Sequence, residues 1–97
     1  MSSGTRSQRQ RPSVGQEARP RAPLALALGQ TVRQLREEAG WTQEAFAEHC
    51  GFFRTYLSRI ETGKANPTLN VIEVISKAVK LRSSMVLAMA ENRQLNG

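Results

Sequence analysis

TQEAFAEHCGFFRTYLSRIETG, residues 42–63, is the stretch whose reading decides the fold of this chain. It reads as two short helices joined by a tight turn at Gly51. Thr42 suits an N-cap, because its hydroxyl can accept from a backbone N–H left free in the first turn. Trp41 before it and Phe46 after it have the spacing of a hydrophobic staple, which sets how the chain enters the helix. Ala47 and Gly51 are four apart; the small side chain lets the second helix cross closely, and the glycine tolerates positive φ between the two. Leu57 and Ile60 supply the buried stripe of the second helix. Its outer face then holds Arg54, Thr55, Ser58 and Arg59. A short helix that buries one stripe and offers arginines on the other matches the major groove of DNA in size and chemistry.

Working outward, Leu28, Val32, Leu35 and Ala39 recur at helical spacing upstream, which predicts an amphipathic first helix. It begins between Leu24 and Leu26, after Pro23, and stops at Gly40. The second and third helices are expected from Gln43 to about Cys50 and from Phe53 or Arg54 to about Thr62. Downstream, TGKANP carries glycine and proline punctuation, and Thr68 is placed to cap a fourth helix. That helix, Leu69 to about Lys80, is expected to bury Leu69, Ile72, Ile75 and Val79. A second row, Val71, Val74 and Ala78, is more apolar than a solvent face requires. Ser83 or Ser84 is expected to cap a fifth helix, in which Met85, Val86, Leu87 and Met89 are apolar on several sides. The tail NRQLNG is expected to fray. The predicted fold class is all-α, a compact bundle of five helices, with no strand-like alternation and no internal repeat.

LGQTVRQLREEAGWTQEAFAEHCG and RTYLSRIETGKANPTLNVIEVISKAV together resemble the lambda-repressor-like helix-turn-helix family of DNA-binding proteins, the Cro and Xre-type regulators. The resemblance covers about Leu26 to Leu87. Gln43, Ala47, Gly51, Leu57, Ile60 and Glu61 fall in register with the family, as do Arg36 and the GKANP turn. RTYLSRIE is also similar to the controller proteins of restriction–modification systems.

The resemblance implies roles for particular residues. Gln43, at the start of the second helix, matches a glutamine that bonds a DNA phosphate, at a helix end that already favours anions. Arg54, Thr55 and Arg59 match positions that reach base edges, with Ser58 beside them. Arginine can fork to guanine O6 and N7, and threonine can touch a thymine methyl or donate a hydrogen bond. Without the motif, arginines at this spacing would read as an ordinary charged face. Lys64 matches a phosphate-contacting region, joined by Asn66, and the Tyr56 hydroxyl is free for a phosphate; such contacts position a protein without reading sequence. Arg36 and Glu61 match a salt bridge between the first helix and the end of the third. Two departures stand out. Phe53 occupies a position usually held by a polar helix cap, so the third helix either lacks a side-chain cap or presents Phe53 to a sugar or a thymine methyl. Lys80 stands where a glycine often ends the fourth helix.

The 97-residue chain has room for one small domain, and its formal net charge is +6. The charge is uneven: residues 1–23 carry five arginines against one glutamate. Rich in Ser, Arg, Gln, Gly and Pro, that segment is expected to be a disordered basic arm, with residues 24–91 forming the DNA-binding domain and 92–97 a flexible tail. An arginine-rich start before LALAL also resembles a signal peptide, and the acid-poor composition a transit peptide. A flexible arm is the favoured reading, beside an inert tail. No apolar run approaches the roughly 20 residues of a membrane span. Cys50, the one cysteine, excludes an intramolecular disulfide and reads as a buried thiol. His49 lacks clustered partners, so neither a metal site nor a cofactor is expected. The chain contains no aspartate, and its glutamates are scattered, so no catalytic constellation is present.

The predicted function is sequence-specific binding to double-stranded DNA, as a homodimeric repressor or controller of transcription in the cytoplasm of a bacterium or in a phage. Surplus apolar side chains at Val71, Val74, Met85, Val86 and Met89 indicate the dimer interface. The alternative is a protein-interaction module, an antitoxin or adaptor on the same fold. The outward pair Arg54 and Arg59 discriminates, since an adaptor has no need of it.

Overall fold

The computed structural model of the chain describes residues 23–96. Five helices follow one another: α1 (Leu24–Glu38), α2 (Gln43–Cys50), α3 (Arg54–Glu61), α4 (Leu69–Ala78) and α5 (Ser83–Asn96), with no strand among the described residues. The predicted basic arm lies outside this range, apart from Pro23. No helix of the described residues is long and apolar enough to cross a membrane.

The helix starts follow from local chemistry. Pro23 precedes α1 in an extended conformation, and its carbonyl accepts from Ala27 N at 3.0 Å. Thr42 Oγ1 accepts from Ala45 N at 3.1 Å and Thr68 Oγ1 from Val71 N at 3.2 Å, so two threonines satisfy amides that the helices themselves leave free. Trp41 and Phe46 meet edge to face, with ring centroids 5.9 Å apart, which completes the staple. The serine cap expected for α5 is not formed. The Arg82 carbonyl takes the amides of Met85 and Val86 at 3.0 and 3.1 Å, and Ser83 and Ser84 lie inside the first turn.

Four helix ends share one closure. Trp41 N donates to Arg36 O at 3.0 Å, Phe52 N to Ala47 O at 2.8 Å, Lys64 N to Arg59 O at 2.8 Å and Leu81 N to Ser76 O at 2.9 Å. Such a closure needs a residue in the left-handed region just before the closing amide. Gly40, Gly51 and Gly63 supply it after α1, α2 and α3. After α4 the residue is Lys80, at φ 62°, the one non-glycine with positive φ among the described residues. The fourth helix therefore ends at Ala78, and Lys80 adopts the conformation a glycine would take.

Leu28, Val32 and Leu35 of α1, Phe46 and Ala47 of α2, Leu57 and Ile60 of α3, Ile72 and Ile75 of α4, and Val86 and Ala90 of α5 form one core. The α1 helix lies against both α3 and α5, and α2 against α3 and α4. Ala39 falls just past the end of α1 and is exposed rather than part of its stripe. Leu69 is 77% exposed, against the expectation that α4 would bury it. It is the first residue of α4. Val79, the C-cap, is half-buried.

The C-terminal segment also departs from expectation: residues 92–96 continue α5 instead of fraying. Arg93 explains this, donating to Thr31 Oγ1 at 3.3 Å and to Gln34 Oε1, both on α1. Thr31 itself is buried and donates back to the Ala27 carbonyl at 2.9 Å.

Candidate nucleic-acid interface

Gly51 turns the chain between α2 and α3 at φ 82°. Phe52 follows it into a half-buried slot, its ring edge-on to Tyr56 with centroids 5.6 Å apart. Leu57 and Ile60 anchor α3 in the core, and the helix turns Arg54, Thr55 and Arg59 outward. Ser58 is half-buried, and the Ser58 carbonyl accepts from Thr62 Oγ1 at 2.9 Å. Lys64 and Asn66 stand exposed in the turn after α3.

A buried ion pair fixes this unit on α1. Arg36 donates from Nε to Glu61 Oε2 at 2.6 Å and from Nη2 to Glu61 Oε1 at 3.1 Å. A third donor, Nη1, reaches the Trp41 carbonyl at 2.9 Å. The two-pronged geometry matches the guanidinium fork to both carboxylate oxygens. The hydrogen bond to Glu61 raises the Arg36 pKa, opposed by burial and reinforced by the charges of Glu61 and Glu37. Arg36 therefore stays cationic where it is almost wholly enclosed.

The pair extends to the surface. Gln43 Nε2 donates to Glu61 Oε1 at 3.1 Å, and Gln43 Oε1 accepts from Arg54 Nη1 at 3.2 Å. Arg36, Glu61, Gln43 and Arg54 thus form one chain of hydrogen bonds from α1 to the outer face of α3. Arg59 is held separately: its Nη2 donates to the Lys64 carbonyl at 2.8 Å, while the Lys64 amide donates to the Arg59 carbonyl. A guanidinium carries five N–H donors, so one such bond leaves Arg54 and Arg59 each with a fork to offer a base. The preset side chains have less freedom to lose on binding.

The structure therefore brings Gln43, Arg54 and Glu61 together and sets Arg59 beside Lys64, while Tyr56 packs on Phe52. Of the apolar residues assigned to an interface, Val74 is 39% and Met85 49% exposed, and Val71 and Met89 are half-buried. Val86, expected at the interface, lies instead in the core. It is 0% exposed, a core residue facing the other helices, and no surface is left for a partner to touch. Cys50 is half-buried, and burial pushes its thiol pKa up, away from the reactive thiolate. His49 lies on Trp41, with ring centroids 4.8 Å apart.

One residue that supports the site escaped the sequence reading. Gly29, within α1, lies where a Cβ would stand 2.1 Å from the Ile60 carbonyl oxygen and 2.9 Å from Glu61 backbone atoms. Nothing in helical periodicity marks it, because the close approach is made by the distant end of α3 at Ile60 and Glu61.

Comparison with known proteins agrees with this geometry. A family model described as a helix-turn-helix domain matches residues 27–87. The control protein C.BamHI of Bacillus amyloliquefaciens is 42% identical over 65 residues, spanning 66% of this chain and 80% of the relative. A competence pilus inhibition repressor of Acinetobacter baylyi is 30% identical over 72 residues, 74% of this chain and 66% of the relative. Among solved structures, the clp gene regulator ClgR from C. glutamicum superposes with a TM-score of 0.73 at 27% identity, covering 80% of this chain and 99% of that one. The restriction–modification controller C.AhdI from Aeromonas hydrophila gives 0.62 at 29% identity, covering 64% and 94%. The family match, the relatives and the outward arginines of α3 agree: the chain belongs to the helix-turn-helix domain family and is a lambda-repressor-like (Cro/Xre-type) DNA-binding transcriptional regulator.

Proposed function

We propose that this chain is a repressor or controller that binds duplex DNA sequence-specifically as a homodimer in the cytoplasm, with α3 in the major groove. The observation that carries the reading is the division of α3, with Leu57 and Ile60 buried and Arg54, Thr55 and Arg59 exposed on the opposite side. Arg54 and Arg59 read bases, and Thr55 contributes a hydroxyl and a methyl. Lys64 and Asn66, with Gln43 at the start of α2, hold the phosphate backbone. Occupancy of a promoter-overlapping site is sufficient for regulation, so no catalysis is required. The exposed apolar side chains Val74 and Met85, flanked by Val71 and Met89, support pairing of two copies. Two-fold pairing would present the two α3 helices about 34 Å apart, one turn of DNA.

The test compares Arg54→Ala with Lys64→Ala on a duplex selected from random sequence and on a scrambled duplex at one salt concentration. A bidentate arginine–guanine contact discriminates by about 1–3 kcal/mol, so Arg54→Ala should lose affinity mainly for the selected site. Lys64→Ala should weaken both duplexes alike. Equal losses on both duplexes for Arg54→Ala and Arg59→Ala would move the protein-interaction alternative ahead.

A further inference from the structure

Phe53 occupies the N-cap position of α3 and makes no side-chain cap hydrogen bond. At the same position of α2 and α4 the chain places Thr42 and Thr68, each with its hydroxyl on a first-turn amide. A phenylalanine there gives up that stabilising bond. Phe53 is also 85% exposed, the most exposed of the large hydrophobic residues among the described residues. The neighbouring aromatic cluster does not need it, because Phe52 and Tyr56 already pack edge to face. Two local rules are therefore broken at one residue, and such breaches concentrate where function compensates for them.

The place of the breach identifies what could cover the ring. The N-terminal residues of a recognition helix are those that reach base edges. Phe53 directly precedes Arg54 and Thr55, both exposed. A phenyl ring cannot read the donor and acceptor pattern of the major groove. The one apolar group the four unmodified bases display there is the C5 methyl of thymine.

We propose that Phe53 is a specificity-determining residue whose ring packs on a thymine methyl in the major groove, next to the base pair read by Arg54. The proposal rests on α3 being the DNA-reading helix. A polar cap at this position would stabilise the free protein better; the ring instead gains its burial only on DNA.

The test uses the full chain and the selected duplex, replacing each thymine in turn with deoxyuridine, which removes the methyl and keeps every hydrogen-bonding group. One replacement per half-site should weaken wild-type binding about three- to fivefold, the effect expected for one buried methyl-sized group. At the position where the wild type loses affinity, Phe53→Ser should bind the thymine and deoxyuridine duplexes equally, still prefer the selected over the scrambled sequence through its arginines, and melt at a higher temperature because serine restores the cap. Wild-type protein indifferent to every replacement would overturn the proposal, as would Phe53→Ser retaining the full sensitivity. Failure of the underlying DNA-reading function would look different: wild-type protein would not separate the selected from the scrambled duplex, and both readings would fall.

Discussion

Gly29 of α1 and Ile60 of α3 approach so closely that a Cβ on Gly29 would stand 2.1 Å from the Ile60 carbonyl oxygen. The obstacle is backbone, so no side chain can swing aside to make room. Gly29→Ala should therefore force α1 and α3 apart and destabilise the fold by about 1–3 kcal/mol, despite the better helix propensity of alanine. Urea unfolding checks this; a midpoint at or above that of the wild type would show that the contact yields freely.

Arg36→Ala should cost about 3–5 kcal/mol, because it leaves the Glu61 carboxylate buried without its partner. Replacing both residues together by apolar side chains of similar volume should be much milder. Thermal melts of the single and double variants decide it, and an unchanged melting temperature for Arg36→Ala would contradict the burial of the pair.

Lys80→Gly should stabilise the protein by about 1 kcal/mol, since a left-handed backbone penalises any residue with a Cβ. For a domain of this size that corresponds to a rise in melting temperature of roughly 4–8 °C. A fall would mean that the Lys80 side chain makes a contact worth more than the backbone strain.

Val74 and Val86 should respond oppositely to charge. A Val74→Lys, Met85→Lys double variant should fold normally, because both positions are exposed, and should sediment as a monomer. Val86→Lys should fail to fold, because its side chain is enclosed by the core. A dimer persisting in the double variant would place the interface elsewhere.

The candidate site was partly legible before the fold was known. Thr42, Thr68 and the Trp41–Phe46 pair acted as their spacing implied, because capping and stapling join residues close together in the chain. The outward set on α3 was also legible, since Leu57 and Ile60 define which side faces in. The link from Gln43 to both Glu61 and Arg54 was not, because it joins side chains from three places along the chain. Nor was the second bond of Arg59, which depends on how the turn carries the Lys64 carbonyl back over the end of α3.

What the sequence determined by itself is what residues close together in the chain can enforce: most of the helix boundaries and caps, the glycine turns and the face of α3 left to solvent. Periodicity picked out most of the interior, including Leu28, Val32, Leu57, Ile60 and Ile75, and the tertiary structure decided the rest. Leu69 and Val86 carry equally apolar side chains, yet one faces water and the other is enclosed, because burial depends on which helix lies opposite. It also decided that α5 runs to Asn96, through contacts such as Arg93 to Thr31 that span 62 residues of chain. Periodicity carries no information about such partners; only the packed arrangement of the helices determines them.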